Sequence, residues 1–171
     1  MNHTTIRKPY AEILVFEVDA YTGCSVCEQD QRTISIPPLK PFKVCHIIAP
    51  QVAAVLQQLL DSSEAITTVV GYRVGRTRGA VDTSGVRTQF SNHAYGIALD
   101  INPERNGLYD NCIEFNESCR LIRGGGWQPG QQGSITGDSP IVSALENIGM
   151  KWGGEILGQQ KDFMHFSPSG Y

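Results

Sequence analysis

No apolar run in this 171-residue sequence approaches the roughly 20 residues that cross a bilayer, so stable membrane insertion is excluded and a water-soluble chain expected. An excess of one charge sign is also missing. Fourteen Lys and Arg stand against 17 Asp and Glu, and a net charge of −3 offers no general footprint for nucleic acid or an acidic membrane surface. Repeats and low-complexity tracts are absent, which removes solenoids and arrays. The opening MNHTTIRKPYAEILVFEVDAY holds one short apolar stretch, broken by Glu12 and Glu17, and so lacks the continuous core of a secretory signal. Export by another route, or a mature or trimmed form, is the expectation. Histidine is scarce, at four residues, so any clustering of histidines with acids carries information.

What is present points to one core, because the length fits a single domain, here taken as 1–171. Residues 1–47 read as an irregular lead-in wrapping that core, with β-type residues in ILVFEV and three prolines in IPPLKPF that exclude a helix. APQVAAVLQQLL, residues 49–60, has good helix formers, Pro50 near its start and apolar residues at 52, 55, 56, 59 and 60, which predicts a helix. AITTVVGYR is β-branched and predicts a strand ending at Gly71 to Arg73. Residues 74–92, rich in glycine, arginine and threonine, read as a long loop, AYGIALDI as strand-like, and 102–137 as loop again. SPIVSALENIG predicts a short helix over 140–148 capped by Ser139, and MKWGGEI and DFMHFS predict a strand pair.

Five cysteines leave at least one thiol without an internal partner. Cys112 and Cys119 flank a short loop and suit a disulfide in an oxidising compartment. Cys24 and Cys27 have CxxC spacing, which fits a zinc or redox pair, and Cys45 with His46 completes a Cys3His count. Adjacent ligands such as Cys45 and His46 point poorly at one ion and no second CxxC exists, so disulfide or buried thiol is the preferred reading. Arg73, Arg76, Arg78 and Arg87 make a locally basic stretch, opposed only by Asp82, whose two readings are a positive patch and a solvated loop.

The chemistry concentrates in two segments, SNHAYGIALD with His93 and Asp100, and KDFMHF with Asp162 and His165. Two histidines and an aspartate are the donor set of a catalytic zinc site, which keeps three protein ligands and an open position. On a straight strand His93 and Asp100 would stand about 23 Å apart on opposite faces, and on a helix still about 10 Å apart. A shared ion therefore requires the chain to reverse between them, and Gly96 is the residue that does this cheaply.

Ser91-x-His93-x-x-Gly96-x-Ala98-x-Asp100, followed by Trp152-Gly153-Gly154 and Asp162-x-x-His165-Phe166, resembles the signature of the M15 peptidases, with Gly71-Tyr72-Arg73 similar to their substrate-binding segment. The resemblance covers about residues 68–168 and leaves out the first 45 residues and the stretch Cys112 to Gly133. It implies one Zn2+ held by His93, Asp100 and His165, with Asp162 as general base and acid. It also implies Arg73 as the group that stabilises the polarised carbonyl oxygen or grips a substrate carboxylate. Ser91, Tyr95 and Trp152 are candidate substrate-binding residues, each with a packing role as the alternative; Glu155 has no assigned role.

The implied activity is hydrolysis of a peptide bond in peptidoglycan stem peptides, as a D-alanyl-D-alanine carboxypeptidase or related endopeptidase acting in the cell envelope. A monomer is expected. The competing readings are a catalytically inactive zinc-containing cell-wall or partner-binding module, and a hydrolase with a Ser or Cys nucleophile. The expected fold is α+β: a small antiparallel sheet bearing the zinc site, a few flanking helices and long loops.

Overall fold

Two amphipathic helices and a set of short antiparallel strands enclose the core in a computed structural model that describes residues 5–171; the first four residues of the expected lead-in lie outside the described residues. The strands are β1 (Gln31–Ile34), β2 (Phe42–Cys45), β3 (Val69–Val70), β4 (Arg76–Val81), β5 (Arg87–Phe90) and β6 (Leu99–Ile101). They continue with β7 (Leu108–Asp110), β8 (Arg120–Arg123), β9 (Lys151–Trp152), β10 (Lys161–Asp162) and β11 (His165–Ser167). Helix α1 spans Ala49–Asp61 and α2 spans Pro140–Glu146. The α+β expectation holds, with every paired strand antiparallel.

Helix α1 turns Val52, Leu56 and Leu59 inward against Ile141, Val142 and Leu145 of α2 and against Leu99, Ile101 and Phe166 of the central strands. Each such fully buried aliphatic side chain contributes roughly 1.5–3 kcal/mol, so this layer is what holds the central sheet in place. That sheet has the order β3-β6-β11-β9 and is buried on both faces at β6 and β11. Ser139 stands where a capping serine is expected, but its Oγ accepts the Thr136 N–H at 2.9 Å instead of a helix amide.

Two loop expectations and one strand expectation need correction. Residues 74–92 contain the hairpin β4–β5, closed by Asp82, whose Oδ1 accepts the Ser84 and Val86 amides at 2.9 and 3.0 Å. Its strands are exposed at nearly every position, so no apolar alternation betrays them. Residues 102–137 contain β7 and β8, joined by the Cys112–Cys119 disulfide. Only 99–101 of AYGIALDI is strand, since Ala94 and Tyr95 belong to a 3-10 turn, Asn92–Tyr95.

The lead-in also differs from expectation. ILVFEV forms a 3-10 turn at Val15–Glu17, where the buried Glu17 carboxylate accepts the Leu14 amide at 2.9 Å and pairs with Lys8. The cysteines follow the preferred reading of disulfide or buried thiol: Cys24 bonds Cys45, and Cys27 is a buried free thiol. This removes the CxxC pair and the Cys3His set, because Cys45 has no thiolate to offer.

MKWGGEI and DFMHFS pair as expected through Phe166 and Trp152. Lys161 and Asp162, however, leave that sheet and join a second one, β10-β7-β8.

Candidate metal centre

The 3-10 turn carrying His93 begins at Ser91, whose Oγ accepts the Ala94 amide at 3.2 Å, and ends at Gly96 with φ +70°. A side chain at Gly96 would be strained in this left-handed region and would also strike the Gln31 side chain and the Cys45 amide, at 1.9 and 2.6 Å. The reversal expected near Gly96 is thus present, and β6 carries Asp100 back beneath His93. His165 reaches the same point by strand pairing, since His165 and Asp100 are direct partners across β11 and β6. Opposed residues on paired strands share a face.

The three donor atoms form a triangle. His93 Nε2 lies 3.0 Å from Asp100 Oδ1 and 3.2 Å from His165 Nδ1, and His165 Nδ1 lies 3.1 Å from Asp100 Oδ1. Tetrahedral zinc bonded at about 2.0–2.1 Å sets its ligand atoms about 3.3 Å apart, so these edges fit the face of such a coordination shell. The surroundings fit too. His93 Nδ1 is 2.7 Å from the Gly71 carbonyl oxygen, to which it donates, leaving the Nε2 lone pair for an ion. Arg73 donates to Asp100 Oδ2 at 2.6 Å, leaving Oδ1 as the inward atom. Gly71 comes so close to β2 that a Cβ there would stand 2.1 Å from the Lys43 carbonyl oxygen.

All three side chains are buried. Burial lowers the pKa of His93 and keeps its imidazole neutral, the form that ligates. Burial alone would raise that of Asp100, but its interactions with His93 and His165, hydrogen bonds to both included, outweigh it and hold the carboxyl well below the usual range. For His165 burial is likewise opposed, by its hydrogen bond to Asp100 and by the charges of Asp100 and Asp162, and its pKa rises.

Beside the triangle opens a cavity of about 380 Å³ whose lining includes His93, His165, Asp162, Arg73 and Ser91. Asp162 Oδ1 is buried and accepts no hydrogen bond among the described residues. Burial, aided by the negative charge of Asp100, raises the Asp162 pKa to about 6, against the opposing charges of His165, Arg73 and Arg123. A carboxyl kept partly protonated near neutrality and turned into a cavity can both take and give a proton.

The other sequence candidates are distributed differently. Ser91 lines the cavity while capping its turn. Tyr95 and Trp152 do not line it. Tyr95 donates its hydroxyl to the Phe16 carbonyl at 2.9 Å and meets Phe90 edge-on, holding the lead-in. Trp152 is buried, and its indole donates to the Phe163 carbonyl at 2.8 Å.

Asn92 escaped the sequence reading. Buried beside His93, it donates to Ser167 Oγ at 3.0 Å and to the Tyr171 backbone oxygen, and accepts from Arg78 at 2.7 Å. Its only sequence signal was adjacency to a ligand. Arg123, from the stretch outside the recognised motifs, also lines the cavity.

An α+β scaffold that gathers two imidazoles and a carboxylate into one buried triangle, with a further carboxyl at its side, offers a set of donors that could hold a metal ion. Residues 84–168, about half of the chain, match the family model described as D-alanyl-D-alanine carboxypeptidase. The chain belongs to the M15 peptidase family. Gly71 and Arg73 lie upstream of the matched stretch, whereas the three donors and Asp162 lie inside it. No curated protein and no solved structure matches the chain.

Proposed function

We propose that this protein is a zinc-dependent peptidase that hydrolyses a peptide bond in peptidoglycan stem peptides, as a D-alanyl-D-alanine carboxypeptidase or related endopeptidase working in the cell envelope. The observation that carries the reading is the triangle of His93, Asp100 and His165 with the unpartnered Asp162 carboxyl opening on the same cavity. When bound, zinc supplies Lewis acidity that makes water acidic near neutral pH and polarises a carbonyl.

His93, Asp100 and His165 would hold the ion, with Gly71 and Arg73 fixing the orientation of the first two. Ionised Asp162 takes the proton of the attacking water and passes it to the leaving amine, for which a pKa raised to about 6 is well suited. Arg73, already committed to Asp100 through one nitrogen, also lines the cavity and steadies the carbonyl oxygen. Two disulfides, Cys24–Cys45 and Cys112–Cys119, fit an oxidising compartment such as the envelope.

The test is digestion of defined muropeptides followed by mass spectrometry of the products. Cleavage of one stem-peptide bond that stops on chelation is the expected result. Cleavage that survives prolonged chelation would sink the zinc mechanism, and no cleavage of any stem peptide would leave the binding-module reading in its place.

A further inference from the structure

The cavity has a second wall that none of the recognised motifs accounts for. Strands β10, β7 and β8 pair so that Asp162 faces Leu108, and Leu108 faces Arg123, in one cross-strand row. All three residues line the cavity. At about 4.8 Å per strand the row spans roughly 10 Å, with the proposed proton carrier at one end and a guanidinium at the other.

Three arginines line this cavity, and two are committed. Arg73 donates to Asp100 at 2.6 Å and Arg78 donates to the buried Asn92 side chain at 2.7 Å. Arg123 makes no ion pair and no side-chain hydrogen bond among the described residues. Outside the metal triangle, Asp162 is the one acid in the lining.

The strand presenting Arg123 is firmly built. The Cys112–Cys119 disulfide closes the connection, the Arg120 guanidinium grips both Asp110 oxygens at 2.9 and 2.5 Å, and the Gly125 amide bonds the Pro103 carbonyl at 2.8 Å just past the strand.

Resting on the peptidase reading above, we propose that Arg123 is the specificity-determining residue that binds a free carboxylate carried by the leaving part of the substrate. The leaving amine is the group that must meet Asp162, so the residue it belongs to extends along the wall that Asp162 shares with Leu108 and Arg123. A guanidinium fork with no internal partner is shaped for a carboxylate. In a stem peptide that carboxylate comes from one of two places, the C-terminus or the α-carboxylate of a D-glutamyl residue. The recognition chemistry is the same for both.

The experiment uses the zinc-loaded Asp162→Asn protein, so that ligands are not consumed, and calorimetric titration with a stem pentapeptide in three forms. These are the free acid, the C-terminal amide and the form amidated at the D-glutamyl α-carboxylate. One amidation should weaken binding by about ten- to a hundredfold, the usual range for a charged hydrogen-bonded pair, and thereby identify the carboxylate. Adding Arg123→Gln should shrink that penalty to within about twofold, while Arg123→Lys retains part of it. If neither amidation weakens binding, or if the penalty persists in Arg123→Gln, the proposal is overturned. The peptidase reading is judged separately, by cleavage with the unmodified protein, so the two can fail independently.

Discussion

The two walls of the cavity contrast sharply. On the sheet of β6 and β11 the three candidate donor atoms answer one another at 3.0–3.2 Å, with His93 held by Gly71 and Asp100 by Arg73, although Arg73 Nε and His165 Nε2 stay without a hydrogen-bond partner among the described residues. On the β10-β7-β8 wall, Asp162 Oδ1 has no hydrogen-bond partner and Arg123 no ion pair among the described residues. Donor atoms locked against one another in this way are preorganised for one fixed occupant. Asp162 and Arg123 keep their bonding capacity for something that comes and goes, and on the proposed reading that difference separates a cofactor site from a substrate site.

Substitutions can break this contrast, and the largest effect belongs to the fixed wall. His165→Ala should abolish both zinc content and turnover, checked by elemental analysis and a muropeptide assay on the same sample. A variant that keeps its zinc would show that the triangle is not the binding site.

Next comes the open wall. Asp162→Asn should lower kcat by about 10²–10⁴-fold while zinc stays bound. In the unsubstituted enzyme kcat should fall as pH drops through about 6, because the base must be ionised and protonation removes it. The same carboxyl predicts a stability effect of opposite benefit. Its folded pKa is raised above the unfolded value of 3.8, so folding favours the protonated form. That stabilisation is complete below the unfolded pKa and is lost as pH rises through about 6. In metal-free protein Asp162→Asn should therefore raise stability by about 1–3 kcal/mol above pH 6, and by nothing near pH 3. Denaturant titrations at the two pH values check this.

A smaller effect is expected from the layer behind the ligands. Arg73→Gln should weaken zinc binding by about 10–100-fold, measured by competition with a chelator, because Asp100 loses the group that orients it. Smallest of all, Tyr95→Phe should leave kcat/KM within about twofold, since its hydroxyl reaches Phe16 and not the cavity.

The same contrast explains what could be seen in the sequence. The fixed wall is written in residue types that have few other uses in that combination: two of four histidines, an aspartate seven residues after the first, and a glycine between them. From these alone the reversal at Gly96 followed as a geometric necessity. Both helices were legible as well, α1 from its helix formers and the spacing of its apolar residues, α2 from the serine and proline at its start and the glycine beyond its end.

The open wall was not legible. Strands β7 and β8 are three and four residues long, too short for alternation to register, and β8 is exposed along its whole length. Nothing local says that Asp162 leaves the sheet of His165, three residues away, to pair with Leu108. The hairpin β4–β5 was hidden for the same reason, being held by strand pairing rather than by burial. Cys24 bonds Cys45 across 21 residues, a pairing that CxxC spacing concealed. Arg73 was expected to serve the substrate, and in the fold one of its nitrogens serves Asp100.

The central claim, that His93, Asp100 and His165 hold the ion on which peptide hydrolysis depends, is tested most directly by zinc titration into chelated protein with stem-peptide cleavage followed in parallel. The account predicts that activity is absent without metal, rises linearly with added zinc and stops rising at one equivalent per chain. Full turnover in the chelated protein, or saturation that is unchanged when His93 is replaced by alanine, would contradict it.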